Sequence, residues 1–419
     1  MKHMSVSSHA PFRKNMLWQY GLQFVKHLLP LVTIPYLTRV LEPSGYAVYA
    51  YVLAFMQFMQ VLVDFGFNLS GTKLIADAKN LNDTNRVIGR ITLARLILCG
   101  VGFIATGAAV LLLPILRENA LYTMLAFVAV CGRGLAPDFL FQGMEKMRPI
   151  TTRYLVSKGT STLLTFVLVH SFSDILWVPL LDILASLIAL VWSFGAARRM
   201  FGISIAIPSL SDGLDELRTS AFYFVSNMAS STFAGLTTLV VGVALTDSTE
   251  IAYWSLAMTG ITAVQTLFTP ITNSLYPRMV VSKDYGFARR LGLIALPVLM
   301  VGTAAYALLA DFIVVVLGGP SYLPGSYVVV ATAAVIPFSY YSMSFGWPVL
   351  GAAGNVKAMM LSTIIAGAFN VIALLAVWGL GWISLIALSI VRVMTEVVLM
   401  TLRLAGCWRA GLLGKGTGQ

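Results

Sequence analysis

Ionisable side chains inside long apolar stretches are the residues of this sequence that could carry chemistry. Lys26 and Arg133 each lie within a run of apolar residues, and so do the carboxylates Asp64 and Asp138. A charge at the centre of a bilayer costs about 2.5–3.5 kcal/mol on insertion scales, so such groups usually face a cavity or a partner. The cations therefore predict a site for an anionic ligand, and the carboxylates predict counter-ions or groups that exchange a proton.

Amides accompany these carboxylates. Asn68 follows Asp64 by four residues, so on a continuous helix the two share one face, which we expect to line a cavity. Gly71 lies close to that stripe and would let another helix or a lipid approach the backbone. Gln142 lies one turn beyond Asp138. The candidate binding residues are therefore Lys26, Asp64, Asn68, Arg133, Asp138 and Gln142.

Two carboxylates are candidates for coupling to an ion gradient. Arg392 and Glu396 are four residues apart in "SIVRVMTEVVLM", a spacing that predicts a mutually neutralised pair holding helix packing. The alternative is a proton- or sodium-responsive carboxylate at Glu396. Asp64 has the same two interpretations, either counter-ion of a cation such as Lys26 or proton site.

The other charges within or near the apolar runs have plainer interpretations. At five residues apart, Arg133 and Asp138 do not face each other on one helix, so each is expected to have a partner elsewhere. Solvation at the membrane surface explains Asp182, which follows a loop closely. Arg95 and Lys158 are expected to extend to the headgroups. The cations of "GMEKMRPITTR" suit first capture of the same anionic ligand that Lys26 and Arg133 predict, although topology alone explains them.

The elements that must position these residues are membrane helices. Of the 419 residues, 58% are hydrophobic and 11% charged, whereas soluble domains are roughly a quarter charged. The apolar runs are continuous and too long for strands of about 10 residues, which excludes a membrane β-barrel. We predict an all-α polytopic protein with about twelve spans: 16–41, 46–72, 91–114, 120–141, 152–171, 174–196, 219–245, 251–277, 290–317, 323–350, 357–378 and 381–405.

The distribution of Lys and Arg predicts the topology. Most of the 28 cations fall in tails, loops and span ends on one side if both termini are cytoplasmic. The net charge of +11 then reflects topology and not a nucleic-acid partner. The connection between the sixth and seventh spans divides the chain into an N-terminal lobe (1–196), a cytoplasmic linker (197–218) and a C-terminal lobe (219–419). The three cysteines are scattered and predict neither disulfides nor a metal site.

Four stretches of the sequence resemble a known family. They are "LPLVTIPYLTRVLEPSGY" (29–46), "DFGFNLSGTKLIA" (64–76), "PDFLFQGMEKMRPIT" (137–151) and "TPITNSLYPRM" (269–279). They are similar to bacterial Wzx-type polysaccharide flippases of the multidrug/oligosaccharidyl-lipid/polysaccharide exporter superfamily. The chain departs from many relatives in reading "YWSLAMTGI" early in the eighth helix, where they carry a Glu-Lys pair.

The resemblance implies a two-lobed, multi-pass transporter of the bacterial inner membrane. Such a protein moves an undecaprenyl-diphosphate-linked oligosaccharide from the cytoplasmic to the periplasmic leaflet by alternating access, for O-antigen, capsule or exopolysaccharide assembly. Implied partners are the lipid-linked substrate, membrane lipids, and the polymerase and chain-length regulator of the pathway. No cofactor is expected beyond a coupling H⁺ or Na⁺.

Two other function classes stay open on the sequence alone. The first is a cation-coupled multidrug or small-molecule antiporter of the same superfamily. The second is a membrane-embedded polymerase or glycosyltransferase of the pathway. Such an enzyme needs acid–base or metal-binding residues on a loop outside the bilayer, and the predicted external loops are short and without a His/Asp cluster. We therefore expect a transporter and not an enzyme.

Overall fold

The computed structural model describes residues 9–204, 208–244 and 248–413, and within these ranges the chain is helical with no strand. Two 3-10 turns lie at Phe172–Asp174 and Pro320–Gly325, and a π-helical turn at Gly346–Gly351. The helices are α1 (His9–Asp64), α2 (Phe67–Asp77), α3 (Leu81–Leu112), α4 (Pro114–Glu118), α5 (Ala120–Gly134), α6 (Asp138–Gly143), α7 (Arg148–Leu168), α8 (Trp177–Phe201), α9 (Leu210–Ala244), α10 (Ser248–Ser282), α11 (Tyr285–Leu308), α12 (Ala310–Leu317), α13 (Ser326–Thr332), α14 (Val335–Phe345), α15 (Val356–Gly379) and α16 (Leu385–Arg409).

These helices are long and apolar enough for a membrane. Eight stretches of the described residues qualify as spans, and a ninth is the pair Pro320–Thr332 and Val335–Gly351, bent by 49°. The stretch Gly21–Asp77 has 57 residues, about 85 Å of helix, which is enough to cross a ~30 Å hydrocarbon core twice. Glu42 interrupts it with φ 57° and ψ 174°, in the stretch "LEPSGY" between the predicted spans 16–41 and 46–72. The all-α polytopic fold is confirmed, and about twelve spans are consistent with it.

One predicted span is more polar than its neighbours. The helix α7 holds two cations, Arg153 and Lys158, and several buried Ser and Thr side chains. Helices with polar faces inside a membrane protein place those faces against other protein groups or water and not against lipid.

The described chain forms two compact units. The first consists of Met1–Tyr36 and Met56–Asn227, and the second of Leu37–Phe55 and Met228–Gln419. The predicted linker, 197–218, includes residues 205–207, which lie outside the described ranges. Its role as the connection between two six-helix lobes stays a prediction.

In the first unit, helices α2, α3, α6 and α8 share an apolar core. Gly71 on α2 lies at a close helix contact, since a Cβ there would be 2.7 Å from the Ile91 Cδ1 and 3.0 Å from the Phe139 ring. Because glycine has no side chain, α2 packs directly on α3 and α6 at this point. Of the two partners predicted to approach Gly71, a helix or a lipid, the structure places helices there. Core members include Phe67, Ile75, Ile88, Ile91, Phe139, Phe141 and Ala197.

In the second unit, the segment Leu37–Phe55 is tied to the end of α12. The Thr38 hydroxyl donates to the Leu317 carbonyl at 2.7 Å, and the Arg39 guanidinium donates to the Val316 carbonyl at 2.7 Å. The Tyr322 hydroxyl in turn donates to the Thr38 carbonyl at 3.2 Å. The last carbonyls of a helix have no partner within the helix, so these side chains satisfy groups that would otherwise be unpaired.

Candidate functional site

Arg95, on α3, is a buried cation at the centre of a polar cluster in the first unit. Its side chain is 2% exposed and lies 3.8 Å from the Asp64 carboxylate. The guanidinium donates to the Ala136 carbonyl at 2.9 Å and to the Asn68 side-chain oxygen at 3.4 Å. Asp64 is partly exposed, at 27%. Arg95 therefore orients both candidate residues of the "DFGFN" stretch.

Two aromatic rings complete the surroundings of Arg95. Its guanidinium carbon lies 5.3 Å from the centroid of Phe139 and 5.8 Å from that of Phe67. Cation–π contacts of this kind strengthen when they are shielded from water. The expectation that Arg95 extends to the headgroups is wrong, because its charge is held inside the protein by Asp64 and by these rings.

The chain is not helical between Asp64 and Asn68. Phe65 has φ 41° and Gly66 has φ 79°, so α1 ends at Asp64 and α2 begins at Phe67. The prediction that Asp64 and Asn68 share a face of one continuous helix is therefore wrong. The two side chains nevertheless meet at Arg95, at 3.8 and 3.4 Å. The break brings together two groups that helical periodicity was expected to align.

A second pair joins α6 to α7. Both terminal nitrogens of Arg153 donate hydrogen bonds to the Asp138 carboxylate, at 2.5 and 3.0 Å. One of them also donates to the Ser193 hydroxyl of α8 at 2.9 Å. Bidentate Arg–carboxylate pairs are strong and geometrically specific. The prediction that Asp138 has a partner away from Arg133 is confirmed.

A third group of charges lies around Asp182, on α8. Lys158 is 2.6 Å and Arg133 3.7 Å from the two oxygens of its carboxylate. Arg133 also donates to the side-chain oxygen of Gln60 at 3.3 Å. Surface solvation was the wrong explanation for Asp182, and extension to the headgroups was wrong for Lys158, since the two pair with each other.

Lys26, on α1, has no carboxylate within salt-bridge distance among the residues that the structure describes. Its ammonium lies 5.6 Å from the centroid of the Tyr154 ring, and its side chain is exposed. The carboxylate of Asp64, offered as its counter-ion, is paired with Arg95 instead. Lys26 thus keeps a charge that no described ion pair offsets.

The first unit carries more cations than carboxylates in this region. Each of the three carboxylates has a basic partner. Lys26 has no carboxylate partner among the described residues, and Arg133 is the more distant of two partners of Asp182, which Lys158 already neutralises. The cations are Lys26, Arg95, Arg133, Arg153 and Lys158, and the carboxylates are Asp64, Asp138 and Asp182. The surplus is positive and lies at Lys26 and Arg133.

Gln142, the remaining candidate binding residue, lies at the contact of α6 with α2. Its side-chain oxygen accepts a 3.3 Å hydrogen bond from the Thr72 hydroxyl, which also bonds to the Asn68 carbonyl. The Gln142 amide therefore helps to hold α6 against α2. No group of three or more His, Cys, Asp or Glu side chains in the described residues is arranged to hold a metal.

The coupling candidates of the second unit form a buried pair. Arg392 donates to the Glu396 carboxylate at 2.8 Å, and their side chains are 7% and 8% exposed. The Ser342 hydroxyl donates to the other Glu396 oxygen at 2.6 Å, and Arg403 donates to the Ser342 carbonyl at 2.6 Å. The predicted mutual neutralisation of Arg392 and Glu396 is confirmed. Whether Glu396 also responds to an ion stays a prediction.

Arg153, Arg403 and Gln60 are among the cluster members that were not predicted as such from the sequence, and Arg153 was instead grouped with the capture cations of "GMEKMRPITTR". Arg153 and Arg403 lie near span ends, where a cation is expected for topology alone. Gln60 lies among apolar residues, with a second glutamine at position 57. The signal available for Gln60 was its polarity in "QFMQVLVD", one turn before Asp64.

The sequence matches one family over most of its length. The family model described as "Polysaccharide biosynthesis protein" matches residues 12–283. The chain belongs to this family. The range that matches the family includes every charged residue of the first unit's clusters and ends before the Arg392–Glu396 pair.

Two relatives carry the name "Putative O-antigen transporter". The protein of Escherichia coli (strain K12) is 28% identical over 268 residues, which are 64% of this chain and 64% of that protein. The protein of Shigella dysenteriae is 25% identical over 320 residues, 75% of this chain and 80% of that protein. This chain thus spans a little under two-thirds of the E. coli relative.

Solved structures share the fold at low sequence identity. The lipid II flippase MurJ, in an inward closed conformation, superposes with a TM-score of 0.75 and 12% identity over 93% of this chain and 87% of its own. An inward-facing multidrug resistance MATE transporter of the MOP superfamily gives a TM-score of 0.67 and 15% identity, covering 94% of this chain and 96% of its own. This member of the polysaccharide biosynthesis protein family therefore shares its fold with both.

Proposed function

We propose that this chain is a flippase that moves an oligosaccharide linked to undecaprenyl diphosphate from the cytoplasmic to the periplasmic leaflet of a bacterial inner membrane. The observation that carries the proposal is the positive surplus of the first unit, with Lys26 and Arg133 exposed. Cations of this kind offset a diphosphate, and an amide such as Asn68 suits sugar hydroxyls. The O-antigen transporter names of the relatives and the fold shared with a lipid II flippase support it.

The proposal includes the direction and mode of transport. Both termini are cytoplasmic, and two lobes, 1–196 and 219–419, alternate access to the two leaflets. The polymerase and chain-length regulator of the pathway receive the product on the periplasmic side. Flipping makes and breaks no covalent bond, so the chain needs no catalytic group.

Neutralising the surplus cations tests this assignment. A Lys26→Gln/Arg133→Gln variant is expected to lose about 100- to 10,000-fold in flipping, because each of the two charge-assisted contacts to a phosphate is worth about 1.5–3 kcal/mol. The measurement is surface polymer and cytoplasmic-leaflet lipid-linked repeat units in a strain lacking the gene and carrying the variant. Membrane levels of the protein should stay unchanged, since Lys26 has no described ion pair and Lys158 still neutralises Asp182.

The matched control is Lys79→Gln/Arg86→Gln, which removes two exposed cations of the same unit outside the clusters. It should transport as the parent does. Full activity of Lys26→Gln/Arg133→Gln would show that these cations are not substrate contacts. A normal surface polymer in the deletion strain, with no second flippase present, would argue for the small-molecule antiporter instead.

We infer that transport is coupled to H⁺ or Na⁺ through Asp64. Asp64 is partly exposed and its distance to Arg95 is 3.8 Å, whereas Glu396 is buried and held at 2.8 Å by Arg392. In Asp64→Asn, an amide of similar shape still accepts from Arg95 but cannot titrate. We expect the flipping rate in liposomes to lose its response to a proton or sodium gradient, while Asp212→Asn keeps it. A parent protein that responds to neither gradient would refute the coupling.

A further inference from the structure

A groove of about 700 Å³ lies in the first unit, away from the charge clusters. Three helices form it: α1 contributes Trp18, α7 contributes its first turns, and α8 contributes Trp192. A cavity of several hundred Å³ is large enough for a small amphipathic ligand.

One end of the groove is positively charged. Lys146 and Arg148 line it, and Arg148 is the first residue of α7. The N-cap of this 21-residue helix is Met147, which makes no side-chain cap, so the positive end of the helix dipole adds to the two cations. The guanidinium of Arg148 lies 5.7 Å from the centroid of the Trp18 ring, which fixes its position at the end of the groove.

The rest of the groove is apolar. From Arg148 to Val156 along α7 is about 12 Å at 1.5 Å per residue, and Leu155 and Val156 line this stretch with Trp192 of α8. Their side chains are 51%, 40% and 41% exposed, so the groove is open and not filled by protein. Cations followed by an apolar surface with tryptophans are the pattern of a membrane interface.

The groove is separate from the candidate substrate site. Among the residues that the structure describes, none of the six candidate binding residues lines it. On α7, Arg153 and Ser157 are buried, with Arg153 bonded to Asp138, whereas Thr152 and Val156 line the groove. The two sites therefore use different faces of the same helix.

We propose that this groove binds an anionic phospholipid of the surrounding membrane. Its phosphate lies between Lys146 and Arg148, and an acyl chain follows Leu155 and Val156. Basic pockets between membrane helices at the headgroup level bind anionic lipids in this manner. The proposed function already places the diphosphate of the transported lipid at Lys26 and Arg133. The groove is therefore assigned to a resident lipid and not to the transported one.

Native mass spectrometry of the purified full chain tests the proposal with defined lipids. Phosphatidylglycerol should bind the parent protein, and phosphatidylcholine should not compete for the same site. Lys146→Gln/Arg148→Gln is expected to lower the affinity for phosphatidylglycerol about tenfold or more, the order of two lost cation–phosphate contacts. Ala196→Trp, which fills the groove without changing its charge, should lower it as well.

The control is Lys79→Gln/Arg86→Gln, which removes the same charge from the same unit and should bind phosphatidylglycerol as the parent does. Size-exclusion elution shows that each variant is folded. Unchanged phosphatidylglycerol affinity in both groove variants would overturn the proposal, and so would equal binding of phosphatidylcholine by the parent. A third outcome would also overturn the proposal. If the groove variants lost binding of polyprenyl diphosphate but kept binding of phosphatidylglycerol, the groove would be assigned to the transported lipid.

Discussion

Replacing Arg95 by leucine is expected to remove most of the folded protein from the membrane. The change leaves the Asp64 carboxylate without its cation and withdraws the donors to Ala136 and Asn68. Removing one partner of a fully buried pair costs about 3–5 kcal/mol, and this is the upper end here because the Asp64 side chain is 27% exposed. Such a loss is a large fraction of the roughly 5–15 kcal/mol that keeps a protein folded. The measurement is the thermal unfolding midpoint and the yield of monodisperse protein in detergent.

Arg90→Leu is the matched control, because it removes an arginine of the same helix from an exposed ion pair. Arg90 lies 2.7 Å from Asp212, whose carboxylate is ionised at neutral pH, since hydrogen bonds from Ser209 lower its pKa. An exposed pair contributes about 0–1 kcal/mol, so this variant should unfold near the parent's midpoint. Adding Asp64→Asn to Arg95→Leu should recover part of the loss. Equal stability of Arg95→Leu and Arg90→Leu would contradict the central place of Arg95.

The second large effect is expected in the second unit, where Arg392→Leu leaves Glu396 buried with the Ser342 hydroxyl as its one remaining donor among the described residues. We expect a loss of about 3–5 kcal/mol in the free energy of unfolding, and a similar loss for Glu396→Leu, which leaves a buried guanidinium. The double variant Arg392→Leu/Glu396→Leu should cost much less, because replacing a whole buried pair by apolar residues is often neutral.

Transport by the double variant then separates the two roles of Glu396. A stable but inactive double variant would assign a function to the pair, and a stable, active one would leave the pair purely structural. Arg409→Leu, at the exposed end of the same helix, should change neither stability nor transport. If the double variant is as unstable as the single ones, the ion pair itself stabilises this unit, which would contradict the expectation.

The helical membrane fold could be predicted from the sequence because a bilayer leaves few alternatives. Apolar runs of spanning length must be helical, and Pro43 in "LEPSGY" marks the turn at which Glu42 breaks α1. Breaks inside spans were harder to predict. Phe65–Gly66 and Leu135–Pro137 interrupt runs that read as continuous, since apolar composition is the same on both sides of a break.

The choice of charge partners could not be predicted, for a related reason. Periodicity identifies neighbours on one helix, so the Arg392–Glu396 pair was found. The partners of Asp64, Asp138 and Asp182 lie on other helices. Their pairing depends on how helices pack, which a single sequence does not record. Arg95 was misjudged because a cation one turn into a span can reach the headgroups or be buried, and only its neighbours decide.

Three of the ion pairs between helices of the first unit, Asp64–Arg95, Asp138–Arg153 and Lys158–Asp182, also fix an order of completion during synthesis. Asp64 leaves the ribosome before Arg95, Asp138 before Arg153, and Lys158 before Asp182. Each early helix therefore enters the translocon carrying a charge whose neutralising group has not yet been made. Arg392 and Glu396, in contrast, emerge together within one turn of α16. Since Asp182 lies on α8, these three pairs are complete only when that helix has been inserted.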